Sequence, residues 1–318
     1  MPRAILLTVA LALVPAIARP AAARPLDAAQ VAGGARWMVH VDIDELKRNP
    51  VVADVKQRLL QQPQVRTGLD AILALTGFDA RQGLHGVTVY GNQFTPNAGV
   101  AILDIELDPQ RTAAALAANP GYSRLKHGEH VIHRWPENQA SSVKSGKTAH
   151  AVFYGPRTVV FSHRGQDLRA AIDVLAGAGG NLAANKDRVP ARIPEGTILY
   201  ATAEGLGEAL GPQVRSPLFK RAHSLTFTLR QGEQGLDARA DIDFLEGSEE
   251  IAGNVVLMLG GLQAMARIQL ANHPDLQTLI DAVIANKQGS RVLVDASLSN
   301  EQLAALVAKA ERRIRVPR

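Results

Sequence analysis

Hydrophobic and polar residues alternate one by one along several stretches of this chain, and each stretch predicts a half-buried β-strand. In 236–244, Leu236, Ala238, Ala240, Ile242 and Phe244 fall on one side, with Asp237, Arg239, Asp241 and Asp243 on the other. In 225–230, Leu225, Phe227 and Leu229 oppose Thr226, Thr228 and Arg230. A Gly-Glu-Gln-Gly turn joins these two runs into a hairpin. Further strands are predicted at 86–91, 99–107, 129–135, 150–155, 158–163 and 290–299, and at the start of 35–46 and of 196–206. Period-two alternation belongs to an antiparallel sheet with one buried and one wet face. A doubly wound parallel fold needs near-continuous apolar strands, which the second half of the chain lacks.

The helical pattern lies between the strands. Asp108 as N-cap with Pro109 at the first helical position starts one helix, and Asn119-Pro120-Gly121 stops it. Leu168, Ala171, Ile172, Leu175 and Ala176 share one face of a second. Ser299 with Gln302 three residues on forms a capping box before a C-terminal helix carrying Leu303, Leu306, Val307, Ala310 and Ile314 on one side. A long helix from Ser248 towards Asn272 differs from these. It is broadly apolar, with Gly253, Gly260 and Gly261 permitting close approach, and is expected to pack between two halves of the molecule, a hydrophobic-ligand cavity or a partner surface being the alternatives. The resulting fold class is α+β: mainly antiparallel sheets with helices on one face. The order of elements occurs twice, which predicts two similar halves from an internal duplication, at 24–176 and 196–318, joined by a linker over 177–195.

Residues 1–23 read as a cleaved secretory leader. Arg3 precedes the apolar run Ala4–Val14, Pro15 breaks it, and Ala16-Ile17-Ala18 and Ala21-Ala22-Ala23 are small-x-small cleavage sites. The run is short for a bilayer span, so a periplasmic or secreted location is expected, with no transmembrane anchor after cleavage. The 318-residue chain has no cysteine, which excludes disulfides and thiolate metal sites. Its basic excess is five charges, three once Arg3 and Arg19 leave, and aromatic residues make up 4 %. That spread-out bias is not the footprint of a nucleic-acid binder.

Six short constellations carry residue types capable of chemistry. Lys126–Trp135 gathers His127, Glu129, His130 and His133, but on a strand His130 and His133 point to opposite faces, so a hairpin is expected and not a metal or general-base site. Asp237, Asp241 and Asp243 form an acidic stripe that Arg239 and Arg230 can neutralise across the hairpin. Ser162, His163 and Asp167 are close in sequence without a nucleophile elbow, so Ser162 is read as ending a strand. Gly177–Gly180 follows a helix and is a helix stop, and the Ser-Gly-Lys-Thr piece within 141–148 lacks a phosphate-loop lead-in and reads as a hairpin tip. The basic end, with Arg312, Arg313, Arg315 and Arg318, is a helix terminus able to touch an anionic surface. No catalytic, cofactor-binding or metal-binding residue is assigned, and no cofactor is expected.

Thr76–Gly91 has a Gly77-Phe78-Asp79 corner leading into a short strand that ends at Tyr90-Gly91. With the leader and the paired layout, it resembles uncharacterised exported proteins of Gram-negative bacteria. That resemblance implies no activity and no functional residues. The expected function is a soluble exported protein that binds or interacts without catalysing a reaction, its partner another envelope protein or an apolar small molecule and not nucleic acid. A carrier of a lipid or other apolar ligand is the alternative, and a hydrolase using the His127–His133 region is the third.

Overall fold

A computed structural model describes residues 26–137, 147–184, 193–206 and 220–315. The leader, residues 138–146 with the Ser-Gly part of the hairpin-tip sequence, residues 185–192 and Arg318 lie outside the described residues. The fold is α+β, and twelve strands form one antiparallel sheet.

The chain begins with a 3-10 turn (Ala28–Gln30), followed by β1 (Trp37–Asp42) and α1 (Ile43–Arg48), α2 (Pro50–Gln61) and α3 (Pro63–Thr76). Next come β2 (Leu84–Gly91), β3 (Val100–Ile105), α4 (Pro109–Ala117), β4 (Ser123–His127), β5 (His130–Pro136), β6 (Thr148–Phe153), β7 (Thr158–Ser162) and α5 (Gly165–Leu175). After a second 3-10 turn (Leu182–Ala184) follow β8 (Thr197–Glu204), β9 (Ala222–Gln231), β10 (Gly235–Phe244), α6 (Glu249–Gln269) and α7 (Pro274–Asp281). The chain ends with β11 (Val283–Gln288), β12 (Arg291–Ser299) and α8 (Asn300–Arg315).

Helix boundaries follow from local chemistry. The Asp42, Asn49 and Asp108 side chains accept from the exposed amides that open α1, α2 and α4. The expected capping box is present: Ser299 Oγ accepts from the Gln302 amide at 3.2 Å, and Gln302 Oε1 accepts from the Ser299 amide at 2.7 Å. Gly77 closes α3 in the left-handed conformation, where a Cβ would lie 2.7 Å from the Asp108 Cβ.

Strand order across the sheet is β11-β12-β10-β9-β8-β1-β2-β3-β7-β6-β5-β4. The two halves meet where β1 pairs with β8, Met38 opposite Thr202 and His40 opposite Tyr200. Outward from that seam both halves run first, second, third, last and penultimate strand. The first half adds the β4–β5 hairpin at its outer edge. Part of the stretch read as linker is anchored in the structure. The Leu182 amide donates to Val31 O at 2.8 Å, Gly33 donates to Gly180 O, and Leu182 is fully buried.

Directly opposed residues of an antiparallel pair share a face, so the register sorts the sheet into two surfaces. One carries Met38, Tyr90, Ile102, Ile132, Val152, Val160 and Tyr200, and Leu168, Ala171 and Ile172 of α5 pack onto it. Towards the C-terminal edge that same surface turns polar, with Thr202, Thr226, Asp241 and Asp295. There α6 packs on the opposite surface, through Ala252 and Val255 against Ile242, Val292 and Val294. The helices therefore divide between the two faces.

Candidate functional site

The polar constellations resolve into structural pairs. In the β4–β5 hairpin, His130 and His133 do take opposite faces. His130 stacks on Tyr154 with ring centroids 4.7 Å apart, and His127 Nε2 meets Asp173 Oδ1 of α5 at 2.7 Å. His133 is buried, its Nδ1 2.8 Å from the Tyr122 hydroxyl and its ring edge-on to Phe153. Burial, and then the Arg124 charge, holds the His133 pKa below its ordinary value. Glu129 joins none of these contacts. His163 lies 2.6 Å from Glu137, not beside Ser162. Ser162 Oγ donates to Gly99 O and accepts from the Arg164 amide, which ties the end of β7 to β3 and to the start of α5. Among the described residues, no three His, Asp or Glu side chains converge to hold a metal ion.

The acidic stripe pairs with itself and its neighbours. Arg230 meets Asp237 at 3.4 Å, Arg239 meets Asp241 at 3.1 Å, and Arg291 binds Asp243. Ser297 and Ser224 add hydroxyl donors to Asp237 and Asp243. These carboxylates are neutralised on a wet sheet face. Gly177, left-handed at φ 75°, ends α5 as its position predicted.

What stands out instead is apolar and exposed. The sequence pattern favours α6 packed between the two halves, but only its Ala252 and Val255 are buried. Leu257 is 75 % exposed, Ile268 78 %, Met265 54 %, Leu262 53 % and Met258 40 %. At 100° per residue these five side chains lie within an arc of about 140°, with no charged residue inside its central part. Glu249 and Glu250 sit at the N-terminal end of α6, and Arg267, paired with Asp281 at 2.6 Å, flanks the other end. Among the described residues α6 is the one helix long and apolar enough to cross a membrane, and 11 % of its most apolar window is buried. The difference from expectation has a simple cause. A helix apolar on every side has no stripe to mark which side faces the sheet, and the sheet covers one side only.

A second apolar surface adjoins it in the sheet. On the side that α6 covers farther along, Val39, Val41, Val87, Val89, Ala101, Leu103, Leu199, Ala201, Leu225 and Phe227 are half-buried. α1 packs against β2 and β8 near this region. Trp37 shares the face and lies flat over Gly91 and Gly99, where a Cβ would come within 2.8 and 3.2 Å of the indole.

No protein-family model matches the chain, and no curated protein matches it. Among solved structures it is similar to crystal forms I and III of TP0453, with TM-scores of 0.46 and 0.47 at 9 % and 10 % identity. Each alignment covers 90 % of this chain, and 98 % and 99 % of TP0453.

Proposed function

We propose that this is a non-enzymatic exported binding protein that docks on lipid through the outward face of α6. The observation that carries the reading is the row Leu257, Met258, Leu262, Met265 and Ile268, exposed to solvent on a helix whose other side is held by the sheet. A contiguous apolar patch of this kind marks an interaction surface. Lipid is favoured over a polar partner because the row carries no charge. The basic excess of three that remains without the leader complements anionic headgroups, and the expected leader would direct the protein towards an envelope. Free interfacial helices need a polar reverse face; here the sheet takes the place of that face.

Sedimentation of the leader-free protein with phosphatidylglycerol–phosphatidylethanolamine vesicles tests this. The wild type is expected to pellet with the vesicles, and the Leu257→Glu/Ile268→Glu variant to lose about tenfold or more of that binding. A wild type left in the supernatant, or a variant that pellets equally, overturns the reading.

The half-buried sheet face from Val39 to Phe227 favours a second reading, in which the protein carries an apolar molecule. Native mass spectrometry of the purified protein separates the two, since a carrier retains an apolar mass that a surface binder lacks.

A further inference from the structure

The two edges of the sheet are defended differently. At one edge lies β4, which carries Arg124, Lys126 and His127. Charged side chains of that kind keep an open edge from pairing with another chain. At the other edge lies β11, where Ile284 is 58 % exposed and Ala285 and Asn286 bring no charge. The lysine of β11 is drawn onto α6: a Cβ at Gly253 would lie 3.8 Å from Lys287 Cδ. Among the described residues, the outward amides and carbonyls of β11 pair with no strand. α6 packs over β11 and β12 and runs antiparallel to β11. Gly253 stands beside Lys287 at one end, and Gln263 Nε2 donates to Val283 O at 3.1 Å towards the other.

We propose that β11 pairs with β11 of a second copy of this chain, about a twofold axis perpendicular to the sheet, so that the α6 helices of the two copies lie side by side. Charge complementarity along α6 selects the occupant and the register. Midway between the two contacts, Met258 of α6 stands over Ala285 of β11. With Ala285 facing Ala285 of the second copy, the helices run antiparallel about Met258, and Glu249 of each meets Arg267 of the other. At 100° per residue Glu249 and Arg267 fall at one angle around α6, about 40° from Gly253 and thus on the flank towards β11. Both are exposed, and Arg267 has N–H donors beyond those its Asp281 contact uses. Centring the pair on Ile284 or Asn286 slides the helices by about 7 Å and separates these charges. Strands about 4.8 Å apart place the two helix axes about 10 Å from each other, a packing distance. On the opposite sheet face the two copies of Ile284 become diagonal neighbours. The seam uses a flank of α6 and leaves its outward row open, so it goes beyond the lipid reading and does not depend on it.

The test is sedimentation velocity of the leader-free protein over a concentration series, without lipid. A reversible dimer with a dissociation constant on the order of 10 μM is expected, in keeping with a seam of one strand and one helix flank. Glu249→Lys and Arg267→Glu should each weaken association about tenfold or more, because each sets like charges opposite one another. An equimolar mixture of the two variants should recover the dimer, since each copy then offers the sign the other lacks at both ends of a twofold seam. The chain has no cysteine, so Ala285→Cys supplies a single thiol. Opposed residues of antiparallel strands hold their Cα atoms about 4.5–5.5 Å apart, within disulfide reach, and this variant should form a covalent dimer on oxidation. Thermal unfolding midpoints matched to wild type separate lost association from lost fold. A wild type that stays monomeric up to about 200 μM, single variants that associate as wild type does, or a mixture that remains monomeric overturns the proposal.

Discussion

Helices α5 and α6 lie on opposite faces of one sheet and illustrate two ways of being apolar. α5 spends eleven residues and buries four of them, Leu168, Ala171, Ile172 and Val174. α6 spends twenty-one and buries two. The first has a narrow stripe matched to a sheet face, so its hydrophobic content becomes packing. The second has more hydrophobic content than the sheet can cover, and the surplus faces outward. Apolar residues in a helix therefore measure stability only where a partner surface meets them.

The largest expected effect tests that distinction directly. Ile172→Ala should cost about 2–5 kcal/mol in urea unfolding, as loss of a fully buried side chain does. Leu257→Ala on α6 should fall within about 0.5 kcal/mol of wild type. Equal costs would abolish the comparison.

Acid should act next, on the α5 side. His40 is buried on that face, its Nδ1 2.9 Å from the Thr88 hydroxyl, and burial lowers its pKa to about 4. The unfolded chain binds a proton near pH 6.5 that the folded chain refuses until near pH 4. Stability from neutral His40 is therefore complete above pH 6.5 and lost as pH falls from there towards 4. The contribution is on the order of 2–3 kcal/mol. Urea midpoints measured across that range for wild type and His40→Gln should converge as the pH drops. Parallel curves would remove His40 from the account.

Smaller effects probe how α6 is held. Gln263 Nε2 donates to Ile280 O at 2.6 Å and Val283 O at 3.1 Å, pinning the end of α7 and the start of β11. Gln263→Ala should cost about 1 kcal/mol and speed amide exchange in β11 before any other strand. Arg267→Ala removes an exposed pair with Asp281 and should cost under about 0.5 kcal/mol by the same unfolding measurement. A larger loss would show that α6 is anchored by charge.

Legibility in the sequence follows the same division. The stripe of α5, the alternation in β9 and β10, the Asp108 cap and the Ser299–Gln302 box are local patterns, and each produces the element it predicts. β11 escapes notice because Val-Ile-Ala-Asn-Lys-Gln does not alternate; it exists through pairing with β12. Leu182 looked like linker because its neighbours are glycine and asparagine, and only the distant Val31 explains its burial. The partners of the histidines are equally non-local: Asp173 for His127, Tyr122 for His133, Glu137 for His163. The outward face of α6 was hidden for a different reason, since its composition is the same whether covered or bare.

The seam between β1 and β8 has a consequence for how the chain comes together in time. Residues up to Ala184 are made before β8 exists, and until it arrives β1 presents an unpaired row of amides and carbonyls at the margin of an otherwise finished sheet. Such a margin recruits any extended segment nearby. Pairing with Thr197–Glu204 closes that margin, so the second half of the molecule covers the open edge of the first.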